Sequence, residues 1–274
     1  MRVGIIGGTG QMGSFFTRVF EDAGHEVTVS GRKTLITSED LAKDSDILII
    51  SVPIHSTIPV IHQIAPLLHK GQVFCDLTSL KSGPVNAMLC SQADVIGLHP
   101  MFGPTATSLQ GQTIIATPAR CSDEHRELLT DLFTSQGARV TVTTPEYHDR
   151  MMAVIQGLTH FKALVMADTM RMLGITPEET EPFMSPIYRI ETSVAGRILA
   201  QDPMLYADIL SENPAVPHVL ETCCKAALSL TSIISSGDTE AFIERFIAER
   251  EWFGEYCNRS LEETDHLISA MVRA

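Results

Sequence analysis

The sequence of 274 residues is short of basic residues, because 20 lysines and arginines face 33 aspartates and glutamates. A net charge of −13 repels polyanions, so neither nucleic acids nor anionic membrane surfaces are expected as partners. No stretch of about eighteen apolar residues is present, and no charged and apolar leader precedes the first apolar run at Val3. The six cysteines form no Cys-x-x-Cys pair and show no metal-ligand spacing. We therefore expect a soluble, cytoplasmic protein with reduced thiols and no metal site.

The length predicts two domains, and the sequence changes character near residue 145. Residues 1–145 carry 13 acidic and 10 basic side chains, whereas residues 146–274 carry 20 and 10. The first part alternates short apolar runs with amphipathic stretches, and the second part contains helical patterns only. We predict domains over residues 1–145 and 146–274.

Seven short runs rich in β-branched residues predict strands in the first domain. The runs cover residues 3–6, 27–30, 47–52, 73–76, 95–98, 113–117 and 140–143. Several are apolar without alternation, which is typical of strands buried on both faces of a parallel sheet. Because amphipathic stretches separate the runs, the pattern predicts an α/β fold of the Rossmann type with a doubly wound parallel sheet.

The second domain is predicted to be all α-helical. Residues 151–173 form a long amphipathic run that ends at Gly174, and Ser185 and Asp202 each precede a proline, as helix caps do. Further helical stretches are predicted near residues 218–235 and 239–272. The last stretch is long enough to favour packing against another subunit, so we predict a homodimer formed through this domain.

A glycine-rich turn follows the first predicted strand. Its sequence, Gly8-Thr9-Gly10-Gln11-Met12-Gly13, fits Gly-x-Gly-x-x-Gly and opens a helical stretch over residues 14–23. Such glycines allow a tight turn, a close approach of backbone N–H groups to a pyrophosphate, and packing of the helix on the strand. The sequence therefore predicts that residues 1–145 bind a dinucleotide; a purely structural glycine turn is the alternative.

The residues after the second predicted strand bear on which dinucleotide binds. NAD enzymes usually place a carboxylate there, whereas this chain has Ser30, Gly31, Arg32 and Lys33. A hydroxyl, an open backbone and an arginine suit the 2′-phosphate of NADP, so NADP is predicted ahead of NAD. The alternative is that Arg32 and Lys33 belong only to a solvated turn.

Polar residues follow three further predicted strands, at the sheet edge where ligands of such folds bind. His99 can accept a proton near neutral pH, which a hydride donor that carries an alcohol requires as its C–O bond gains double-bond character. We therefore predict His99 as a catalytic base, and we expect Ser51, Val52 and Pro53 to contact the cofactor. The three segments are Ser51-Val52-Pro53-Ile54, Asp76-Leu77-Thr78-Ser79-Leu80-Lys81 and Gly97-Leu98-His99-Pro100.

Two sets of polar residues share helix faces in the second domain. Gln156 and His160 are four residues apart and are expected to line the cleft. Arg189 and Arg197 lie on another predicted helix with Ser193 halfway between them, and arginine suits bidentate binding of carboxylates. From spacing alone, pairing of the arginines with nearby acids is an equal alternative; these acids are Glu191, Asp202 and Asp208.

In the combination of these residues, the chain resembles the prephenate and arogenate dehydrogenases of tyrosine biosynthesis over essentially its whole length. The dehydrogenase part of the bacterial enzymes fused to chorismate mutase matches best. The resemblance rests on residues 8–13 and 76–81, on Gly97-Leu98-His99-Pro100-Met101-Phe102-Gly103, on Gln156-Gly157-Leu158-Thr159-His160-Phe161, on Ser185-Pro186-Ile187-Tyr188-Arg189 and on residues 196–203.

The resemblance implies a role for each site residue. His99 would hydrogen-bond the ring hydroxyl of a cyclohexadienol and take its proton, Ser79 would orient that hydroxyl and the histidine, and Arg197 would hold the carboxylate. Hydride would pass to the nicotinamide, the ring carboxylate would leave as carbon dioxide, and the ring would become aromatic. The expected reaction is the NADP-dependent conversion of prephenate to 4-hydroxyphenylpyruvate. The remainder of the site would be lined by His160, Gln156, Arg189 and Lys81, either near the side chain of the substrate or as support for the residues that contact it.

The chain departs from the fused enzymes in two respects. Neither a mutase domain ahead of Met1 nor a regulatory domain after the last helix is expected, so the resemblance predicts a free-standing dehydrogenase. The fused enzymes tend to carry an aspartate near the end of the second strand and to use NAD, whereas this chain has Ser30-Gly31-Arg32-Lys33.

Three alternatives stay open at this point. Arogenate carries an ammonium group in place of the keto oxygen of prephenate; no acid adjoins Gln156 and His160, which favours prephenate, although Glu191 or Asp149 could supply one in space. An imine or β-hydroxyacid reductase shares the domain plan but does not explain the proposed base, hydroxyl and arginine together. A non-catalytic dinucleotide sensor would bind the cofactor without turnover.

Overall fold

A computed structural model describes residues 1–273 of the chain, and its strands lie where the apolar runs predict them. The strands are β1 (Arg2–Ile6), β2 (Glu26–Ser30), β3 (Ile47–Ile50), β4 (Val73–Asp76), β5 (Asp94–Pro100), β6 (Thr113–Arg120) and β7 (Arg139–Val142). They form one sheet in the order β2-β1-β3-β4-β5-β6-β7. The chain therefore winds outward in both directions from β1, which confirms the Rossmann-type fold and places a crevice at the carboxyl ends of β1 and β3.

One strand pair is not parallel. β5 and β6 pair antiparallel, with His99 opposite Ile115, whereas the other five pairs are parallel. Residues 101–112, which join these two strands, contain no helix. The chain therefore returns directly to the sheet instead of crossing over it, and this reverses the direction of β6. The sheet is mainly parallel, with one antiparallel pair.

Helices cover both faces of the sheet and create two apolar cores. Ile49 belongs to the core that includes Phe16 and Phe133, and Leu48 belongs to the opposite core with Ile61. Adjacent residues of β3 thus face opposite cores, which explains its apolar run without alternation. Each such fully buried side chain stabilises the fold by about 1.5–3 kcal/mol. The helices are α1 (Gln11–Asp22), α2 (Ser38–Asp44), α3 (Ile54–Ile64), α4 (Ser82–Met88), α5 (Asp123–Ser135) and α6 (Pro145–Met152).

The rest of the described chain is helical, as the sequence predicts. A π-helical segment, Ala153–Leu158, leads into α7 (Thr159–Leu173), which ends at Gly174 with φ of +69°. The predicted final stretch is not one helix, because Gly254 with φ of +54° separates its two parts. The remaining helices are α8 (Pro177–Thr180), α9 (Pro186–Leu199), α10 (Pro203–Ser211), α11 (Val216–Ser236), α12 (Thr239–Phe253) and α13 (Tyr256–Arg273).

The chain divides into two compact units. The first unit contains Met1–Ala153 and Met204–Ala215, and the second contains Val154–Pro203 and the chain from Val216 onward. Buried hydrogen bonds hold α6 and residues 204–215 in the first unit; for example, the Asn213 side-chain amide donates to the Asp149 carbonyl over 2.8 Å. The boundary between residues 145 and 146 stays a prediction about independently folding domains. Among the helices of residues 1–273, none combines the length and the hydropathy that a membrane-spanning segment requires.

Candidate active site

The turn after β1 requires glycine at two positions. Gly7 has φ of +83°, and a Cβ atom there would lie 2.1 Å from the Ser51 carbonyl oxygen. A Cβ atom on Gly13 would lie 2.4 Å from the Gly7 carbonyl oxygen. Since both obstacles are backbone atoms, no side chain fits at either position. Gly7 is a site residue that the Gly-x-Gly-x-x-Gly pattern misses, and the doublet Gly7-Gly8 is its signal in the sequence.

Helix α1 begins at this turn with uncapped N–H groups. Gly10 is its N-cap residue, no side chain caps it, and no acidic residue lies in its first turn. The Ser14 N–H group donates to the Gly10 carbonyl over 2.8 Å, which leaves the preceding N–H groups without an intrahelical acceptor. A Cβ atom on Gly10 would lie 3.2 Å from the Gly7 carbonyl oxygen, a tight contact, and would meet no other part of the protein within 4 Å. These residues therefore fit a dinucleotide, whose pyrophosphate the N-terminus of α1 would hold.

The end of β2 contacts the glycine turn. The Ser30 carbonyl accepts a hydrogen bond from the Gly7 N–H group over 2.8 Å, and the buried Ser30 hydroxyl lies 3.3 Å from the Ser38 hydroxyl. Ser30 thus bonds within the protein through both groups. Arg32 and Lys33 are exposed, and neither forms an ion pair with a described residue. Both cations are available to an anionic ligand.

Thr9 of the glycine turn lies against Gly31. A Cβ atom on Gly31 would lie 2.4 Å from Oγ1 and 3.2 Å from Cγ2 of Thr9. Because both atoms belong to a short, stiff, β-branched side chain, a larger residue at position 31 requires Thr9 to rotate or shift. The local packing therefore favours a residue without a side chain at position 31.

The segment Ser51-Val52-Pro53 also adjoins the turn. The close approach of the Ser51 carbonyl to Gly7 fixes the spacing between the ends of β1 and β3. Pro53 is the N-cap residue of α3. In the first turn of that helix, Nδ1 of His55 lies 2.9 Å from the carboxylate of Asp208, which is contributed by α10. The contact between His55 and Asp208 therefore holds α10 against the start of α3, beside the part of the crevice that is expected to bind the cofactor.

His99 lies near the carboxyl end of β5 and is only 3% exposed. Its Nδ1 atom is 2.8 Å from Nε2 of His148 on α6, and Nδ1 of His148 is 2.8 Å from Oδ1 of Asp149. The Asp149 carboxylate also accepts hydrogen bonds from the backbone N–H groups of Lys81 and Ser82, each over 2.8 Å. A chain of hydrogen bonds therefore connects His99 to the start of α4.

The groups around these hydrogen bonds favour a neutral His99 and an ionised Asp149. Burial holds the pKa of His99 well below its ordinary value, and His148 and Lys81 add to that effect while Asp149 opposes it. Burial raises the pKa of Asp149, but hydrogen bonds from His148, Ser82 and Lys81 outweigh it, so the pKa lies below its ordinary value. At neutral pH, His99 is therefore able to accept a proton.

Lys81 occupies a different place from the one expected of a residue that lines the substrate. It is fully buried, and its ammonium group binds the Asp76 carboxylate and, over 2.8 Å, the Leu98 carbonyl. The Thr78 hydroxyl binds the same carboxylate. Burial lowers the pKa of Lys81, although the neighbouring carboxylates oppose this effect. The ammonium group thus acts inside the first unit, where it holds the end of β5.

Ser79 lies in the turn between β4 and α4 and is half-buried. The backbone N–H group of Lys81, which binds Asp149, is two residues further along the same turn. The turn therefore carries both Ser79 and an anchor of the His99 chain, and the predicted role of the Ser79 hydroxyl stays a prediction.

In the second unit, Gln156 lies in the π-helical segment and His160 in the first turn of α7. Both side chains are half-buried, and burial lowers the pKa of His160. π-Helical segments occur frequently at functional sites. The predicted pair thus lies where the backbone departs from regular α-helix.

Arg189 and Arg197 lie on α9 and are exposed. Neither guanidinium group forms an ion pair with any residue between positions 1 and 273, and Asp208 is bound to His55 instead. The alternative in which these arginines pair with neighbouring acids is therefore not observed. Both groups are free to bind carboxylates of a ligand.

The connection of His148 and Asp149 to His99 is the part of this site that the sequence does not reveal. The N-cap residue of α6 is Thr144, so His148 does not cap the helix but packs, fully buried, beside His99. Asp149 already accepts three hydrogen bonds and does not offer a free carboxylate to an ammonium group. The sequence signal is a histidine next to an aspartate, and apart from each other they bind His99 and Lys81, which are 49 and 68 positions away.

Two family models match most of the chain. The model described as prephenate dehydrogenase, nucleotide-binding domain, matches residues 22–142, and the model described as prephenate dehydrogenase, dimerization domain, matches residues 144–248. The chain belongs to the prephenate dehydrogenase family. The resemblance seen in the sequence is confirmed, as is the expected class of nicotinamide-dependent dehydrogenase.

Individual relatives agree with the family models. The probable arogenate/prephenate dehydrogenase of Methanocaldococcus jannaschii is 34% identical over 99% of this chain and 65% of its own length. The T-protein of Haemophilus influenzae is 33% identical over 97% of this chain and 71% of its own length. The crystal structure of prephenate dehydrogenase from Aquifex aeolicus, in complex with hydroxyphenyl propionate and NAD⁺, gives a TM-score of 0.72 at 22% identity and covers 93% of this chain and 98% of that chain. This chain thus spans about two thirds of the length of the first relative.

Proposed function

We propose that this protein converts prephenate to 4-hydroxyphenylpyruvate and carbon dioxide, with NADP as hydride acceptor, in tyrosine biosynthesis. The observation that carries the proposal is a buried His99 at the same sheet edge as the glycine turn, where burial holds the pKa of His99 below its ordinary value. The strands from β1 through β3 and β4 to β5 are parallel neighbours, so their carboxyl ends share that edge. Membership of the family supplies the substrate class.

The reaction couples loss of hydride to loss of carbon dioxide. Hydride leaves the ring carbon that bears the hydroxyl group, and the electron pair of the breaking C–CO₂ bond completes the aromatic ring. The nicotinamide ring, when bound, accepts the hydride. Positive charge develops at the hydroxyl-bearing carbon, so the C–O bond gains double-bond character and the hydroxyl proton becomes acidic. His99 accepts a hydrogen bond from that hydroxyl, and a base so placed contributes typically about 10²–10⁴-fold to the rate.

The substrate carries two carboxylates, which an acidic protein must hold with local cations. Arg197 is proposed to bind one carboxylate, and Arg189, His160 and Gln156 are proposed to line the rest of the site. The exposed guanidinium groups without ion pairs support this assignment, since bidentate hydrogen bonds to carboxylates suit arginine. Ser79 is proposed to orient the ring hydroxyl.

The preference for NADP rests on the end of β2. No carboxylate is present there, a side chain at position 31 would require Thr9 to shift, and Arg32 and Lys33 are exposed. A 2′-phosphate would gain from two cations and would meet no negative charge. NAD is the second choice, and the Aquifex aeolicus structure contains NAD⁺.

Arogenate is the second candidate substrate, because the name of one relative includes it. Its ammonium group calls for a carboxylate partner. Asp149, one of two acids considered for that role, has its oxygens bound to His148, Lys81 and Ser82. This use of Asp149 favours prephenate.

A second copy of the chain is the proposed partner. The helices of the second unit expose large apolar side chains, which a dimer would bury: Leu228, Phe246, Trp252 and Leu261 are 60% or more exposed. One matched family model is described as a dimerization domain. A cytoplasmic location stays a prediction from the sequence.

The test combines purified protein with NADP⁺ or NAD⁺ and with prephenate or arogenate, in four mixtures. Absorbance of the reduced nicotinamide reports turnover, and chromatography identifies the product. We expect the highest kcat/KM with NADP⁺ and prephenate. Turnover with arogenate and not with prephenate would identify arogenate as the substrate. Absence of turnover in all four mixtures, despite cofactor binding, would favour the reductase or the sensor.

A further inference from the structure

We propose that His148 and Asp149 are positioning residues that fix the tautomer of His99 and share the proton that it receives. The inference deepens the proposed function, since it assigns partners to the proposed base. It rests on the buried hydrogen-bond chain from His99 through His148 to Asp149, in which both steps measure 2.8 Å. Neither His148 nor Asp149 is proposed to touch the substrate.

The direction of each hydrogen bond from His99 to Asp149 follows from the carboxylate at the end of the series. The Asp149 carboxylate can only accept, and the backbone N–H groups of Lys81 and Ser82 fix its orientation from the start of α4. The Nδ1 atom of His148 must therefore carry the proton that Asp149 accepts. In the neutral form of His148 with its proton on Nδ1, Nε2 is an acceptor, and Nδ1 of His99 donates to it. The lone pair of neutral His99 is thereby confined to Nε2.

This order matters because the two nitrogens of His99 differ in use. Nδ1 is engaged with His148, so only Nε2 can receive a hydrogen bond from the substrate hydroxyl. Without His148, a neutral imidazole could place its proton on either nitrogen, and the tautomer with Nε2–H could not act as a base. His148 therefore selects the reactive form before the substrate binds.

The charges that face His99 make a shared proton favourable. His148 and Asp149 approach it from α6, and the Lys81 ammonium lies beneath the end of β5, where the Asp76 carboxylate on β4 binds it. Since Lys81 is paired with Asp76, Asp149 is the carboxylate that counters a positive charge on the two imidazoles. Burial makes that compensation large, because few water molecules are present to solvate the charge.

The proton moves in a balanced cycle. As hydride leaves the substrate, the hydroxyl proton shifts to Nε2 of His99, and the proton on Nδ1 of His99 shifts toward Nε2 of His148. The charge then lies beside the Asp149 carboxylate. When the electron pair of the C–CO₂ bond reaches the ring, the protons shift back and the product leaves as a neutral phenol. No net proton is gained or lost.

Two substitutions of His148 separate positioning from packing. His148→Gln retains an amide oxygen that can accept from Nδ1 of His99 but has no direct route for the proton to Asp149, whereas His148→Leu removes both. We expect kcat to fall about 10²-fold or more in H148L and less in H148Q, with KM for prephenate nearly unchanged. The matched control is His125→Gln, which removes a histidine whose Nδ1 lies 2.8 Å from the Asp94 carboxylate. We expect kcat of H125Q to equal that of the unsubstituted protein.

The pH profile supplies a readout that a packing defect would not change. Asp149 opposes the lowered pKa of His99, so Asp149→Asn should move the acidic limb of kcat/KM to lower pH. A fall in kcat with an unchanged acidic limb would show that Asp149 acts through packing alone.

Nitrogen-15 NMR of labelled histidines tests the tautomer without any turnover. We expect His99, assigned by comparison with His99→Asn, to show a protonated Nδ1 and an unprotonated Nε2 at pH 7.5, and to lose this preference in H148L. A protonated Nε2 in the unsubstituted protein, or unchanged kcat in folded H148L, would overturn the inference. Absence of turnover in the unsubstituted protein, with the expected NMR result, would contradict the proposed function and leave the tautomer assignment in place.

Discussion

The ammonium group of Lys81 donates a hydrogen bond to the carbonyl of Leu98, the residue that precedes His99 on β5. The same ammonium binds the Asp76 carboxylate at the end of β4, and both side chains are fully buried. An ion pair therefore connects two neighbouring strand ends directly beside the proposed base. Its main consequence is structural, because neither charge reaches solvent.

Replacing Lys81 with methionine should destabilise the fold strongly. Lys81→Met leaves the buried Asp76 carboxylate unpaired, and breaking a buried pair in this way costs about 3–5 kcal/mol. Urea unfolding followed by circular dichroism measures the loss. Lys70→Met, at an exposed position, is the control and should change the free energy of unfolding by less than about 0.5 kcal/mol. Equal stabilities of the two variants would show that the pair contributes nothing.

Alanine at Gly10 should weaken dinucleotide binding and leave the fold intact. Its Cβ atom would project into the space before the N-terminus of α1, where the pyrophosphate is proposed to bind. We expect Kd for NADP⁺, measured by calorimetry, to rise about 10-fold or more, with little change in Tm. Gly196→Ala is the matched control, since a Cβ atom there meets no atom within 4 Å. If G10A bound NADP⁺ as tightly as G196A, the cofactor would not lie at this turn.

Replacing Arg32 should change the preference between the two dinucleotides and leave the stability of the fold unchanged. Arg32→Ala removes an exposed cation at the proposed 2′-phosphate site, so Kd for NADP⁺ should rise about 10-fold, an effect of roughly 1.4 kcal/mol, while Kd for NAD⁺ stays the same. Arg139→Ala, at another exposed arginine, is the control. An equal loss of affinity for both dinucleotides would place Arg32 at a shared part of the cofactor instead.

Stability should fall on mild acidification because of His99. Its pKa is lowered on folding, so at pH values just below about 6.5 the unfolded chain binds a proton that the folded chain does not. The contribution of His99 to stability is thus present at higher pH and is lost as the pH falls below the unfolded value. Urea midpoints at pH 7.5 and 5.5 should differ more in the unsubstituted protein than in His99→Gln. His69→Gln, at an exposed position, should retain the full difference; the same retention in H99Q would refute the assignment.

The sequence predicts the elements of the fold because their signals are local. The apolar run of β3 indicates burial on both faces, and the structure distributes Leu48 and Ile49 between two cores. The glycine turn is equally visible, although only the structure shows that Gly7 is fixed by the Ser51 carbonyl. The break at Gly254 is not predictable in the same way, because an isolated glycine also occurs within continuous helices.

The site is only partly predictable, because its decisive contacts join residues that are distant in sequence. Position after a strand identifies His99, but the partner of its Nδ1 atom is 49 residues away. The sequence also places a lysine at a strand end without showing that Lys81 turns back to Asp76. Periodicity and spacing carry no information on such contacts, which depend on how α6 packs against α4 and β5.

The central claim is that His99 makes this chain an enzyme, and the most direct test is kcat of His99→Asn with NADP⁺ and prephenate beside its Kd for NADP⁺. Removing the base while keeping a polar side chain should reduce kcat about 10³-fold or more and leave Kd within about twofold, since His99 is not part of the glycine turn. Turnover by H99N at the rate of the unsubstituted protein would contradict the account.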